Sequence, residues 1–119
     1  MDYLNYLLLA LVAFFFIQRL VPTKGVRQIS TAELKKELQD KNKQYIDVRT
    51  QGEFKAKNIK GFKNIPLHQL ADKADQLSKE KEVIVICQSG MRSNKASKLL
   101  RKKGFKQVTN VKGGMSAWV

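Results

Sequence analysis

Val83-Ile84-Val85-Ile86-Cys87-Gln88-Ser89-Gly90-Met91-Arg92-Ser93 is the stretch that decides the fold. Its first four residues are β-branched and apolar with no polar break, the pattern of a strand buried on both faces. Ala96, Leu99 and Leu100 follow at helical spacing. The only cysteine of the chain therefore sits on a strand-to-helix turn. In such a turn the first N–H groups of the helix lack intrahelical partners and converge on one spot. That geometry concentrates positive potential on the thiol, favouring the thiolate and any bound anion. Gly90 gives the turn a backbone conformation closed to other residues, and Arg92 adds a planar, permanently charged fork at its rim. The plain alternative is an ordinary buried thiol at the end of a core strand.

Working outward, strands and helices alternate. Val26 to Ile29 reads as a short strand. Ser30-Thr31-Ala32-Glu33 is a capping box that opens a helix with Leu34 and Leu38 on one face. A strand from Gln44 runs into Asp47-Val48-Arg49, and Lys63-Asn64-Ile65 is a brief extended run stopped by Pro66. Gln107 to Val111 is a last strand before the turn Lys112-Gly113-Gly114 and a final short helix. This alternation predicts an α/β fold of three layers, a mainly parallel sheet of about five strands covered by helices on both faces. Ligands of such sheets bind beyond the carboxyl ends of the strands. Asp47 and Cys87 both fall there, so one crevice can hold them.

The 119 residues allow one domain, and 43% hydrophobic content is ordinary for a globular core. The net charge of +13 is not ordinary for this size. Only Arg19 of the bases and Asp2 of the acids lie in the first 22 residues, so the imbalance belongs to the rest of the chain. Nucleic-acid binding would account for it, but no zinc-finger spacing or interleaved aromatic platform accompanies it, and no specific nucleic acid is expected. Attraction to anionic lipid is the second account. One cysteine excludes an internal disulfide and suits a reducing compartment. With one histidine besides, no metal site is expected.

Residues Tyr3 to Val21 are mostly apolar, and nineteen helical residues rise about 28 Å. Met1-Asp2 is not a basic leader start, and no small-residue cleavage site follows. The expectation is a single uncleaved anchor over residues 1–22, a linker over 23–27 and the domain over 28–119. Bases follow the segment and none precede it, which places the domain on the cytoplasmic side of a membrane.

Taken together, Ile46-Asp47-Val48-Arg49, Glu53-Phe54, Ile59 with Gly61, Asn64-Ile65-Pro66, Cys87 to Ser93, Gly113-Gly114 and Trp118 resemble a single-domain rhodanese. The resemblance covers roughly Gln28 to Val119. It implies a sulfurtransferase without cofactor that moves a sulfane sulfur from a small donor such as thiosulfate. The acceptor would be cyanide, a thiol or a protein. Cys87 would be the nucleophile and persulfide carrier. The backbone of Gln88, Ser89, Gly90, Met91, Arg92 and Ser93 would cradle the outer sulfur, and Arg92 would help hold the donor. Asp47 and Arg49 read as a supporting pair, because buried charges come paired; Glu53 is a candidate partner for Arg49. The sequence departs from the family at Lys57-Asn58, where Gly-His is common, and at Gln88, where arginine is frequent. The first departure bears on fold, the second on donor preference. His68 reads as a surface or packing residue.

Two other readings stay open at this point. A non-catalytic, membrane-tethered binding module would use the fold without the thiol. A cysteine-dependent phosphatase or arsenate reductase would share the loop. The spacing Cys-x4-Arg makes a smaller ring than Cys-x5-Arg, sized for one sulfur rather than a tetrahedral phosphate, and no loop acid stands ready to protonate a leaving group.

Overall fold

The computed structural model describes residues 2–20 and 25–119, the side chains of residues 18–20 excepted. Five short strands form one parallel sheet in the order β1-β5-β4-β2-β3. They are β1 (Val26–Ile29), β2 (Gln44–Asp47), β3 (Lys63–Asn64), β4 (Val83–Ile86) and β5 (Val108–Val111). Helix α1 (Asp2–Leu20) precedes the sheet; α2 (Thr31–Glu37), α3 (Gln51–Ala56), α4 (Leu67–Lys73), α5 (Met91–Lys102) and α6 (Gly114–Ala117) connect or follow its strands. A 3-10 turn over Ala74–Gln76 extends α4.

The unbroken apolar run of β4 has a direct cause. The strand is central, and its side chains alternate between two cores. Val83, Val85 and Cys87 pack with Leu70, Ala96, Leu100 and Phe105. Ile84 and Ile86 pack with Leu34, Phe62 and Met115 on the opposite face. Three layers result, as expected. Helix α2 begins with the anticipated capping box, Ser30 Oγ accepting from the Glu33 N–H and Glu33 returning to the Ser30 N–H, 3.1 Å each. A second box, Thr50 with Glu53, opens α3.

Three expectations about the N-terminal part need correction. No helix among the described residues is long and apolar enough to cross a membrane. Helix α1 has nineteen residues, but its unbroken apolar run, Tyr6 to Ile17, spans only about 18 Å against about 30 Å of hydrocarbon. Polar Asp2 and Asn5 precede that run and Gln18 and Arg19 follow it. The anchor is therefore not supported. The placement on the cytoplasmic side falls with it, because the flanking charges have no span to orient. The expected linker over 23–27 is shortened as well: β1 starts at Val26, paired with Val108, while residues 23 and 24 lie outside the described residues.

Candidate active site

Cys87 follows the last residue of β4 and is 1% exposed. The backbone then turns through Gln88 and Ser89 to Gly90, whose φ of 109° makes it the cap of α5. A residue with a Cβ is strained at that angle. This conformation aims the Gly90 N–H at the Cys87 Sγ, 2.9 Å away. The thiol of Cys87 donates to Ser93 Oγ at 3.3 Å, and Ser93 Oγ donates to the Gly90 carbonyl at 3.1 Å. Once the thiol has lost its proton, rotation of the Ser93 hydroxyl turns that acceptor into a second donor to sulfur. Helix α5 points its N-terminus at the same place, so the positive end of its dipole faces the thiol.

The turn is clamped from the C-terminal side. Met115 N–H donates to the Cys87 carbonyl at 2.8 Å and Ser116 N–H to the Gln88 carbonyl at 2.9 Å. So close an approach requires glycine at 114. A Cβ there would lie 2.2 Å from the Cys87 carbonyl oxygen, and the residue has φ +55°. Gly114→Ala is expected to destabilise the domain by about 2 kcal/mol or more, lowering Tm by about 10 °C, and to displace Cys87. Thermal unfolding followed by circular dichroism measures the first effect and the rate of thiol alkylation the second. A wild-type Tm would refute the close approach.

Asp47 and Arg49 stand at the carboxyl end of β2, the neighbour of β4. Both are buried, at 0% and 2% exposure. The guanidinium grips the carboxylate with Nε at 3.1 Å and Nη2 at 2.8 Å, and also bonds the Lys57 carbonyl. Its other nitrogen reaches Gln88 Oε1 at 3.4 Å. Arg49 thus ties β2 to the start of the thiol turn. The suggested Arg49–Glu53 pair does not form. Glu53 pairs instead with Arg92, at 2.6 and 3.0 Å in a two-pronged bridge. That bridge holds the Glu53 carboxyl well below the usual range, at about 2, and raises the Arg92 guanidinium.

A pH signature follows. Because the folded value of Glu53 lies below its unfolded one, the bridge contributes stability above about pH 4.5 and loses it as pH falls through about 2. Glu53→Gln keeps the cap of α3 but removes the ion pair, at an expected cost of about 0.5–1 kcal/mol for a partly exposed bridge. Urea titrations of both proteins should show a constant gap from pH 7 to 5 that closes toward pH 2. A gap independent of pH would rule the bridge out.

The expected site residues are therefore distributed as follows. Cys87, Gly90 and Ser93 meet at the sulfur. Gln88 faces sideways, its Nε2 donating to Ser116 Oγ at 3.2 Å. Met91 is exposed, at 66%. Arg92 is at the rim, engaged with Glu53, in the wall of a hollow of about 270 Å3 that includes Leu67 and His68. Sequence reasoning missed the roles of Glu53 and of the backbone at Met115 and Ser116. Gly113-Gly114 was the available signal for the clamp, since paired glycines mark a close backbone approach. No group of described residues could hold a metal ion.

Fold and site together define an α/β protein with a single thiol in a glycine-capped turn at the carboxyl edge of a parallel sheet. Residues 30–119 match the Rhodanese-like domain family, and the chain belongs to it. It is similar to "Putative sulfurtransferase YtwF" of Bacillus subtilis, 42% identical over 94 residues that cover 78% of this chain and 90% of that protein. It is also 41% identical over 75 residues to "Uncharacterized protein YqhL" of Bacillus subtilis, where the match covers 63% of this chain but only 60% of the longer relative. Among solved structures, a rhodanese-like domain protein from Staphylococcus aureus superposes with a TM-score of 0.73 at 35% identity, covering 79% of this chain and 92% of that one.

Proposed function

We propose that the protein is a sulfurtransferase that carries sulfane sulfur as a persulfide on Cys87. The observation that carries this reading is the Cys87 Sγ itself, met by the Gly90 N–H at 2.9 Å and the Ser93 hydroxyl at 3.3 Å. These groups suit an anionic sulfur. In the first half-reaction the Cys87 thiolate attacks the outer sulfur of thiosulfate or of a persulfide donor. A Cys87–sulfur bond forms, the sulfur–sulfur bond of the donor breaks, and with thiosulfate its electron pair leaves on sulfite. The outer sulfur of the resulting persulfide carries the negative charge, and the unpaired N–H groups at the start of α5 would stabilise it. In the second half-reaction an acceptor, a thiol or cyanide, takes that sulfur and Cys87 returns to thiolate. The two halves share one enzyme form, so the kinetics are ping-pong. Gln88, Ser89, Gly90, Met91, Arg92 and Ser93 make up the cradle, Cys87 is the nucleophile, and Asp47 with Arg49 braces it. Support for the class comes also from the relative whose name includes sulfurtransferase.

The test is intact mass. Incubation with thiosulfate should add one sulfur atom to the full chain, and cyanide or dithiothreitol should remove it. A protein that gains no sulfur from thiosulfate or from a low-molecular-weight persulfide would overturn the proposal.

A further inference from the structure

A cavity of about 460 Å3 abuts the thiol turn through Ser89, Gly90 and Met91. Its walls carry three lysines. Lys95 and Lys98 lie one helical turn apart on α5, and Lys112 follows β5. Among the described residues no carboxylate lines it. None of the three lysines forms an ion pair with any described residue. This differs from the Arg92 flank, where Glu53 already neutralises the guanidinium. Lys112 meets the field of the Glu33 carboxylate only at longer range, so positive charge without a close partner is concentrated on this side.

The wall of the cavity also holds amides with buried, unpaired atoms. Asn110, only 5% exposed, donates from Nδ2 to Gln28 Oε1 at 2.9 Å. This leaves Asn110 Oδ1 and Gln28 Nε2 without partners among the described residues, and Asn94 Oδ1 likewise. Rotating both amides of the pair by half a turn only exchanges the roles: one donor and one acceptor stay unsatisfied. Buried polar atoms of this kind are costly unless something meets them. A ligand for the cavity must therefore bring negative charge to the lysines, and it would lie against the Gln28 and Asn110 side chains in the wall. Thiosulfate, with five non-hydrogen atoms, would fill only about a quarter of the space, whereas the volume is that of a small-molecule site.

We infer that this cavity is the subsite for the acidic arm of the sulfur acceptor, a small thiol bearing carboxylates. The inference rests on the sulfur-transfer reading above. With the acid arm on the lysines, the acceptor sulfur approaches the persulfide across Gly90. The thiol forms a bond to the outer sulfur. The bond between Cys87 Sγ and that sulfur breaks, leaving its electron pair on Sγ, and the thiol proton ends on the transferred sulfur. Persulfide anion plus thiol becomes thiolate plus the acceptor's persulfide, with no oxidant or reductant required.

The test uses the full chain loaded with sulfur, freed of donor, and discharged in single turnovers. Three thiols serve as acceptors: mercaptosuccinate, a dicarboxylate; 2-mercaptoethanol, neutral; and cysteamine, a cation. Rates are referred to each thiol's thiolate fraction. Lys98→Glu with Lys112→Glu should slow mercaptosuccinate by about tenfold at low salt, the combined effect of two exposed charges, leave 2-mercaptoethanol within about twofold, and speed cysteamine. Lys41→Glu with Lys81→Glu makes the same change in net charge at the opposite, amino end of the strands and should not shift the order. Equal shifts for all three thiols, or the same shift from the distant pair, would overturn the inference. A second measurement does not need sulfur transfer. Methylsuccinate titrated into unloaded protein should move the side-chain amide resonances of Gln28 and Asn110 saturably, and should fail to do so in the Lys98/Lys112 variant. If no sulfur ever loads, the sulfurtransferase reading fails while this binding result still decides the subsite. If sulfur loads and methylsuccinate leaves those amides unmoved, the subsite alone is wrong.

Discussion

Cys87→Ser is expected to abolish sulfur uptake altogether while leaving the fold in place. Serine is nearly isosteric with cysteine and keeps a hydroxyl within reach of the Gly90 N–H and Ser93 Oγ, which now meet Sγ at 2.9 and 3.3 Å. The side chain is buried in the core of the α4–α5 layer. Exchanging sulfur for oxygen there adds a polar atom, but one already supplied with hydrogen-bond partners, so the cost in stability should stay near 1 kcal/mol. The chemistry does not survive the exchange. An alkoxide is far harder to generate than a thiolate, and serine has no counterpart to the persulfide. Intact mass after thiosulfate should show no adduct, and transfer to cyanide should fall to the uncatalysed rate. An adduct equal to that of the wild type would place the sulfur elsewhere and end the proposed mechanism. Circular dichroism and Tm guard against a trivial loss by unfolding.

The second large effect is expected at Arg49. Arg49→Ala leaves Asp47 fully buried with its charge uncompensated. Breaking such a pair from one side costs roughly 3–5 kcal/mol, a large fraction of the stability of a domain this size. Two further contacts go with it, to the Lys57 carbonyl and to Gln88. The thiol turn therefore loosens in the same variant. Arg49→Lys should rescue little, because an ammonium cannot reproduce a fork that engages carboxylate, carbonyl and amide at once. The double variant Asp47→Leu/Arg49→Met should recover much of the loss, since the desolvation cost disappears with both charges. Urea unfolding of the set measures this. A loss below about 1.5 kcal/mol for Arg49→Ala would mean that water reaches Asp47.

Much of the architecture is legible because its determinants are local. Val83 to Ile86 announces a central strand, since only burial on both faces tolerates four β-branched residues in a row. Ser30 and Glu33 announce a helix start through bonds spanning three residues. The thiol turn is legible for the same reason: cysteine, glycine and arginine stand within six positions of one another. What could not be read depends on long sequence separations. Arg92 and Glu53 are 39 residues apart, and nothing in the vicinity of either chooses between Glu53 and another carboxylate. Asn110 and Gln28 meet across 82 residues, so their spare hydrogen-bonding atoms appear only when β1 and β5 are paired. Lys95 and Lys98 show a helical spacing, but Lys112 joins them only through the fold. The span over α1 failed for a different reason. Total length suggested a crossing, whereas the decisive quantity was the uninterrupted apolar run from Tyr6 to Ile17.

The sheet order sets β1 beside β5, and the residues after β5 hold the carbonyls of Cys87 and Gln88. During synthesis the cysteine leaves the ribosome almost thirty residues ahead of Met115 and Ser116. Throughout that interval the hydrogen bonds that fix its turn have no donors to come from. The thiol is thus an unremarkable side chain until the last strand and the clamp behind it exist, and it gains its shaped surroundings at the moment the domain can close. A nascent or C-terminally cleaved chain would carry the same cysteine without the scaffold that shapes its turn. Limited carboxypeptidase digestion into α6 should therefore quench sulfur loading before it unfolds the sheet.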